Sequence, residues 1–187
     1  MALPNQAKIL IIVLIVSATF LYSKNRKDFF EQFNKVEATL ITRLPNIKVK
    51  NLSTKADLNT FDLLKESGNK GLFVHFWATW CAPCATELPE FIKFARSLEK
   101  DNVKFLLVAV NDKESDLLKF LKRFNQIPSN VILSTDVSGS SMDYFGTSKV
   151  PETFLFDGSK NFVNKFIGPQ NWQSPQFYTQ TKLSLKF

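Results

Sequence analysis

GLFVHFWATWCAPC, residues 71 to 84, holds both cysteines of the chain and governs how the residues on either side of it read. Gly71 to Ala78 is an almost unbroken apolar run, the pattern of a strand covered on both faces in a parallel or mixed sheet. VKFLLVAV, Val103 to Val110, repeats that pattern. Between the two, Ala82 to Leu98 sets Leu88, Phe91, Ile92, Phe94, Ala95 and Leu98 at helical spacing, with Pro89 expected to kink the helix. Strand, helix and strand make a βαβ unit, whose crossover is right-handed and whose two strands are parallel.

The flanks extend the same alternation. Ile47 to Leu52 alternates apolar and polar as a half-buried strand does, and Asp57 to Glu66 reads as a short helix ended by Gly68. Downstream, Asn111 and Glu114 form an expected capping pair for a helix with Leu117, Leu118, Phe120, Leu121 and Phe124 on one face. Val131 to Leu133 is a short strand candidate. Thr153 to Phe156 and Phe162 to Ile167 read as a hairpin joined across Asp157-Gly158, and Ser174-Pro175 as the start of a closing helix. The fold class is therefore α/β with a mixed sheet.

At 187 residues, 44% hydrophobic and with 19 Phe, the chain has room for one packed domain and a short appendage. The net charge of +7 suggests nucleic acid, but Lys8, Lys24, Arg26 and Lys27 precede the first acid, Asp28, leaving 20 bases against 17 acids beyond them. No basic stripe interleaved with aromatics runs through the body, so a nucleic-acid partner is not expected.

Ile9 to Tyr22, ILIIVLIVSATFLY, carries no charge and lies between Lys8 and the basic group Lys24, Arg26 and Lys27. Residues 1–27 read as a membrane anchor or a cleaved signal segment, and either reading exports the domain. The three bases after the run pull the other way, since the positive-inside rule alone keeps the body cytoplasmic. Asp28 to Leu44 spaces Phe29, Phe30, Phe33, Val36, Leu40, Ile41 and Leu44 as an amphipathic helix that Pro45 stops. This helix, residues 28–45, serves as a stalk or packs on the domain at residues 46–187.

The chemistry lies in WCAPC. A thiol at a helix N-terminus sees unpaired N–H groups and the positive end of the dipole, which favour the thiolate that attacks disulfides. Cys81 is the expected nucleophile, and Cys84, one turn on and more buried, the group that resolves the mixed disulfide. Two cysteines and one histidine fall short of the four ligands of structural zinc, and Ala85 breaks a haem-attachment motif. A structural disulfide is the plainer reading, although so short a loop restrains the unfolded chain little. No metal or cofactor is expected.

FWATWCAPC at Phe76 to Cys84, Pro89 five residues beyond it, and VPETFLFD at Val150 to Asp157 together resemble the thioredoxin fold, and more narrowly the membrane-tethered extracytoplasmic thiol-disulfide oxidoreductases of the TlpA and ResA kind. The resemblance runs from about Ile47 to Gln170. It implies a thioredoxin-like domain, a mixed sheet flanked by helices with an extra segment over Lys113 to Leu133, behind a membrane helix and stalk. It also implies reduction of protein disulfides, apocytochrome c or a copper-site protein among them, with electrons from a membrane thiol donor, in the periplasm or its equivalent. Carried over by residue, Pro151 matches a cis proline, Val150 would offer its backbone to substrate, and Trp80 would cover one side of the site. Glu87 matches an acid that takes the Cys84 proton. His75 departs from the Asn or Asp usual there; it is either a proton acceptor for the dithiol or a buried, neutral, hydrogen-bonded imidazole. Rival functions are a disulfide-donating oxidant and a non-catalytic binding module or copper chaperone.

Overall fold

The computed structural model describes residues 41–65, 67–136 and 138–186, with Gln6, Ser17 and Thr19 before them. Contacts separate two units, Met1–Leu40 and Ile41–Phe187, and the second holds every element that follows. The apolar run at residues 9–22 lies outside the described residues except at Ser17 and Thr19, as do residues 28–40. Among the described residues no helix is long and apolar enough to cross a membrane.

Among the described residues seven strands form one sheet: β1 (Lys48–Asn51), β2 (Asp57–Asn59), β3 (Gly71–Trp77), β4 (Val103–Ala109), β5 (Val131–Asp136), β6 (Glu152–Asp157) and β7 (Phe162–Ile167). Their spatial order is β2-β1-β5-β4-β3-β6-β7. β3 and β4 run parallel and in register, Gly71 beside Val103 through Trp77 beside Ala109, and β5 continues parallel to β4. β6 lies antiparallel on the other side of β3, followed by β7. The sheet is mixed, as the paired apolar runs predict.

Every residue of β3 is buried, and its alternation divides two cores. Phe73 and Trp77 face helix α1 (Ala82–Ser97), which supplies Leu88, Phe91, Ile92, Phe94 and Ala95. Leu72, Val74 and Phe76 face the opposite side, against Leu63, Leu64, Phe145, Phe154 and Phe156. α1 passes through Pro89 as one helix. Helices α2 (Glu114–Leu121), α3 (Ser141–Tyr144) and α4 (Pro175–Ser184) follow along the chain.

Four local expectations are corrected. Residues 57–64 form β2 and a 3-10 turn, Thr60–Leu64, because Asp57 to Asn59 are claimed by pairing with β1. The Thr60 hydroxyl anchors that turn by donating to the Pro45 carbonyl while accepting from the Ile47 N–H. Residues 41–44 are not helical, where a helix is expected. Arg43 bridges Asn161, the Leu44 N–H donates to the Lys160 carbonyl, and Ile41 and Leu44 are buried in the core. Asn111 and Glu114 do not cap α2, whose N-cap is Lys113 without a side-chain bond; Glu114 instead pairs with Lys55. The β6–β7 turn is also longer than a two-residue hairpin. The Asp157 carboxylate accepts from the Ser159 and Asn161 N–H groups, and Lys160, at φ 69°, takes the left-handed position.

Candidate active site

The site is assembled where β3 ends and α1 begins. Cys81 is the N-cap of α1, with Pro83 following within the first turn, and its sulfur accepts from the Cys84 N–H at 3.3 Å. Cys81 and Cys84 are joined as a disulfide. Cys81 keeps 6% of its surface and Cys84 none, so of the two residues Cys81 is the one that reaches the outside. A backbone N–H aimed at Cys81 Sγ, at the positive end of a 16-residue helix, is the setting that stabilises a thiolate there once the bridge opens.

The peptide between Val150 and Pro151 is cis, and the Val150 carbonyl oxygen stands 3.8 Å from Cys81 Sγ. A cleft of about 350 Å³ opens beside it, lined by Trp80, Val110, Asn111, Met142, Lys149 and Val150 among others. Trp80 is 60% exposed, and its indole N–H donates to the Asn111 carbonyl at 3.1 Å. The turn carrying Trp80 is clamped by Asp112, which accepts from the Thr79 N–H at 2.5 Å and the Thr79 hydroxyl at 2.6 Å. On the far side of Pro151, buried Glu152 accepts from Thr147 and pairs with Lys165 at 3.1 Å.

Glu87 and His75, the two residues read as proton carriers, are both buried. Glu87 is one turn beyond Cys84 on the buried side of α1, and its Oε2 accepts from the Gln170 N–H at 2.9 Å and from the Trp172 indole at 3.0 Å. Burial raises its proton affinity, a like charge on Glu90 adds to the rise, and those two donors oppose it; the net shift is upward. His75 is fully buried on β3, stacked at 4.4 Å on Phe91, with Nδ1 at 2.8 Å from the Thr153 hydroxyl. Burial lowers its pKa from 6.5 to about 3, so the imidazole is neutral. The two side chains meet at His75 Nε2 and Glu87 Oε1, 3.8 Å apart.

Cys81, Cys84, Trp80, Val150 and Pro151 are thus brought together around the disulfide, with Cys84 and Pro151 buried, while Glu87 and His75 pair in the core one helical turn on from Cys84. Sequence reading missed the residues that hold these groups: Thr79 and Asp112 under Trp80, Thr153 on His75, and Gln170 and Trp172 on Glu87. Only Trp172 left a signal, as a lone large ring in the polar stretch PQNWQSP. Among the described residues no three His, Cys, Asp or Glu side chains converge to hold a metal ion.

The Redoxin family model matches residues 41–180. The chain belongs to the Redoxin family. A thiol-disulfide oxidoreductase ResA of Bacillus cereus is 27% identical over 118 residues, which is 63% of this chain and 66% of that protein. A ResA from a second strain of that species is 24% identical over 169 residues, 90% of this chain and 91% of the relative. Over the first of these matches, then, this Redoxin chain spans about two thirds of a ResA. A thioredoxin-family thiol:disulfide interchange protein of Chlorobium tepidum superposes with a TM-score of 0.61 at 21% identity, covering 78% of this chain and 97% of that one. The fold of this Redoxin chain is thioredoxin-like, and its relatives are of the ResA kind that the WCAPC and VPETF segments resemble.

Proposed function

We propose that the chain is an extracytoplasmic thiol-disulfide oxidoreductase that reduces protein disulfides. The observation that carries this reading is the Cys81–Cys84 disulfide at a helix N-terminus, with Cys81 reaching the outside beside the Val150 carbonyl and an open cleft. In the reduced protein the Cys81 thiolate attacks a substrate disulfide, and the first substrate sulfur leaves as thiolate. Cys84 gives its proton to Glu87, with His75 as its neighbour, and attacks Cys81 Sγ. The second substrate sulfur is released, and the bridge closes with two electrons passed to the substrate. An extended substrate segment pairs with the backbone of Val150 next to Pro151, and Trp80 supplies an aromatic wall.

By likeness to ResA proteins, the substrates include an apocytochrome c, the electrons come from a membrane thiol donor, and residues 1–27 tether the domain on the outer side of the membrane. The same helix terminus that stabilises Cys81 thiolate also favours oxidising power, so disulfide donation is the rival direction. Two measurements decide. Cys84→Ser should trap substrate proteins as mixed disulfides at Cys81, identified by mass spectrometry from cells. Equilibration of the wild-type protein with glutathione should place its potential well on the reducing side. No trapped protein from Cys84→Ser, or a strongly oxidising potential, would sink the reductase.

A further inference from the structure

Among the buried side-chain polar atoms that have no hydrogen-bond partner among the described residues are His75 Nε2 and Glu87 Oε1, the latter one helical turn beyond Cys84. They face each other at 3.8 Å, just beyond hydrogen-bond length, while every other polar atom of the two side chains is engaged. Glu87 Oε2 holds two donors, and His75 Nδ1 is on the Thr153 hydroxyl. A buried atom left unpaired costs free energy, and two that point at one another satisfy both needs if a single proton lies between them.

We propose that His75 is a positioning residue for proton transfer, accepting at Nε2 the proton that Glu87 takes up at Oε1, while His75 Nδ1–H donates to Thr153. The inference rests on the reading of Glu87 as acceptor of the Cys84 proton. Oε1 is the carboxylate oxygen that holds no donor, so the proton arrives there. Once protonated, Oε1–H faces the imidazole acceptor, and a contraction of under 1 Å closes the bond. The neutral carboxyl is thereby stabilised and the proton held in the core, in a site where a separated charge would be costly. Among the described residues Glu90 is the one other charged group that acts on Glu87. From α1 the neighbours are Cys84, Phe91 and, further along, Glu90; from β6, Thr153; from β4, Leu107 beside His75; and from β7, Phe166 beside Thr153. The Glu152–Lys165 pair belongs to the opposite face, where Lys165 lies over Phe154.

The test reads the second step by itself. Reduced protein is mixed with an aromatic disulfide that releases a coloured thiolate twice, first when Cys81 attacks and again when Cys84 resolves. The rate of the second release should rise with pH through the Glu87 inflection. His75→Asn keeps a partner for Thr153 and removes Nε2, so the inflection should move down by about one pH unit. His75→Gln returns an acceptor near the Nε2 position and should restore the wild-type value. Glu87→Gln should abolish the inflection. Were the inflection to survive in Glu87→Gln, the reading of Glu87 itself would fail and this inference with it. If Glu87→Gln abolishes it and His75→Asn leaves it unmoved, only the role of His75 is overturned. Should the variants not fold, nitrogen NMR of the wild-type imidazole decides: below the inflection Nδ1 should carry the proton, and a proton on Nε2 would overturn the proposal.

Discussion

His75 shows how much one ionisable side chain changes when it falls in a buried strand. An imidazole with no solvent exposure is held neutral to about pH 3, whereas in the unfolded chain it takes a proton below about 6.5. Between those values the unfolded state binds more protons, so stability is complete above pH 6.5 and is lost as pH falls toward 3. Glu87 runs the other way: its folded pKa is raised from 4.5, so its contribution is lost as pH rises above that value. His75→Asn should therefore remove the acid-side loss, leaving the variant with about 2 kcal/mol less destabilisation than wild type on going from pH 7 to pH 5. Urea midpoints of both proteins at the two pH values measure this, and equal losses would show that His75 is not held neutral by burial.

At the scale of elements, α1 positions the chemistry and the β4–α2 loop holds α1's approach in place. Cys84, Glu87, Leu88, Phe91 and Phe94 fall on the buried side of α1 by helical periodicity, so the resolving thiol and the carboxyl are neighbours one turn apart. The turn before it depends on Asp112, which accepts two bonds from Thr79, and on Asn111, whose carbonyl holds the Trp80 indole from a backbone at φ 50°. This is why the expected Asn111–Glu114 capping pair is absent: the loop residues are spent on the site and Glu114 on Lys55. Asp112→Ala strands two Thr79 donors and should cost about 1 to 3 kcal/mol of stability, with Asp112→Asn costing less because one acceptor oxygen remains. Urea unfolding compares the three. Equal stability of Asp112→Ala and wild type would mean water replaces the carboxylate fully.

Taken as a whole, the molecule packs residues 41–45 onto the domain, one of the two placements the sequence leaves open for them. Ile41 and Leu44 are buried against the far face of the sheet, and the Thr42 carbonyl accepts from the Phe162 N–H, so residues 41–45 belong to the packed body. A chain starting at residue 46 should be less stable than one starting at residue 41 by about 3 to 5 kcal/mol, the worth of two buried aliphatic side chains. Thermal melts of the two truncations check it, and coincident melts would show that residues 41–45 add nothing. What was readable beforehand follows from periodicity and from local chemistry. The continuous apolar runs at β3 and β4 point to a sheet covered on both faces, the spacing of α1 to one buried side, and two cysteines at a strand-to-helix turn to a reactive pair, with a structural disulfide as the alternative. What folding alone settled are pairings between residues far apart in the chain. Thr153 reaches His75, Trp172 reaches Glu87, Asp112 reaches Thr79, and Arg43 lies beside Asn161. Such contacts leave no period in a sequence, because each is made by one side chain whose partner is chosen by the packing of the sheet rather than by its neighbours along the backbone.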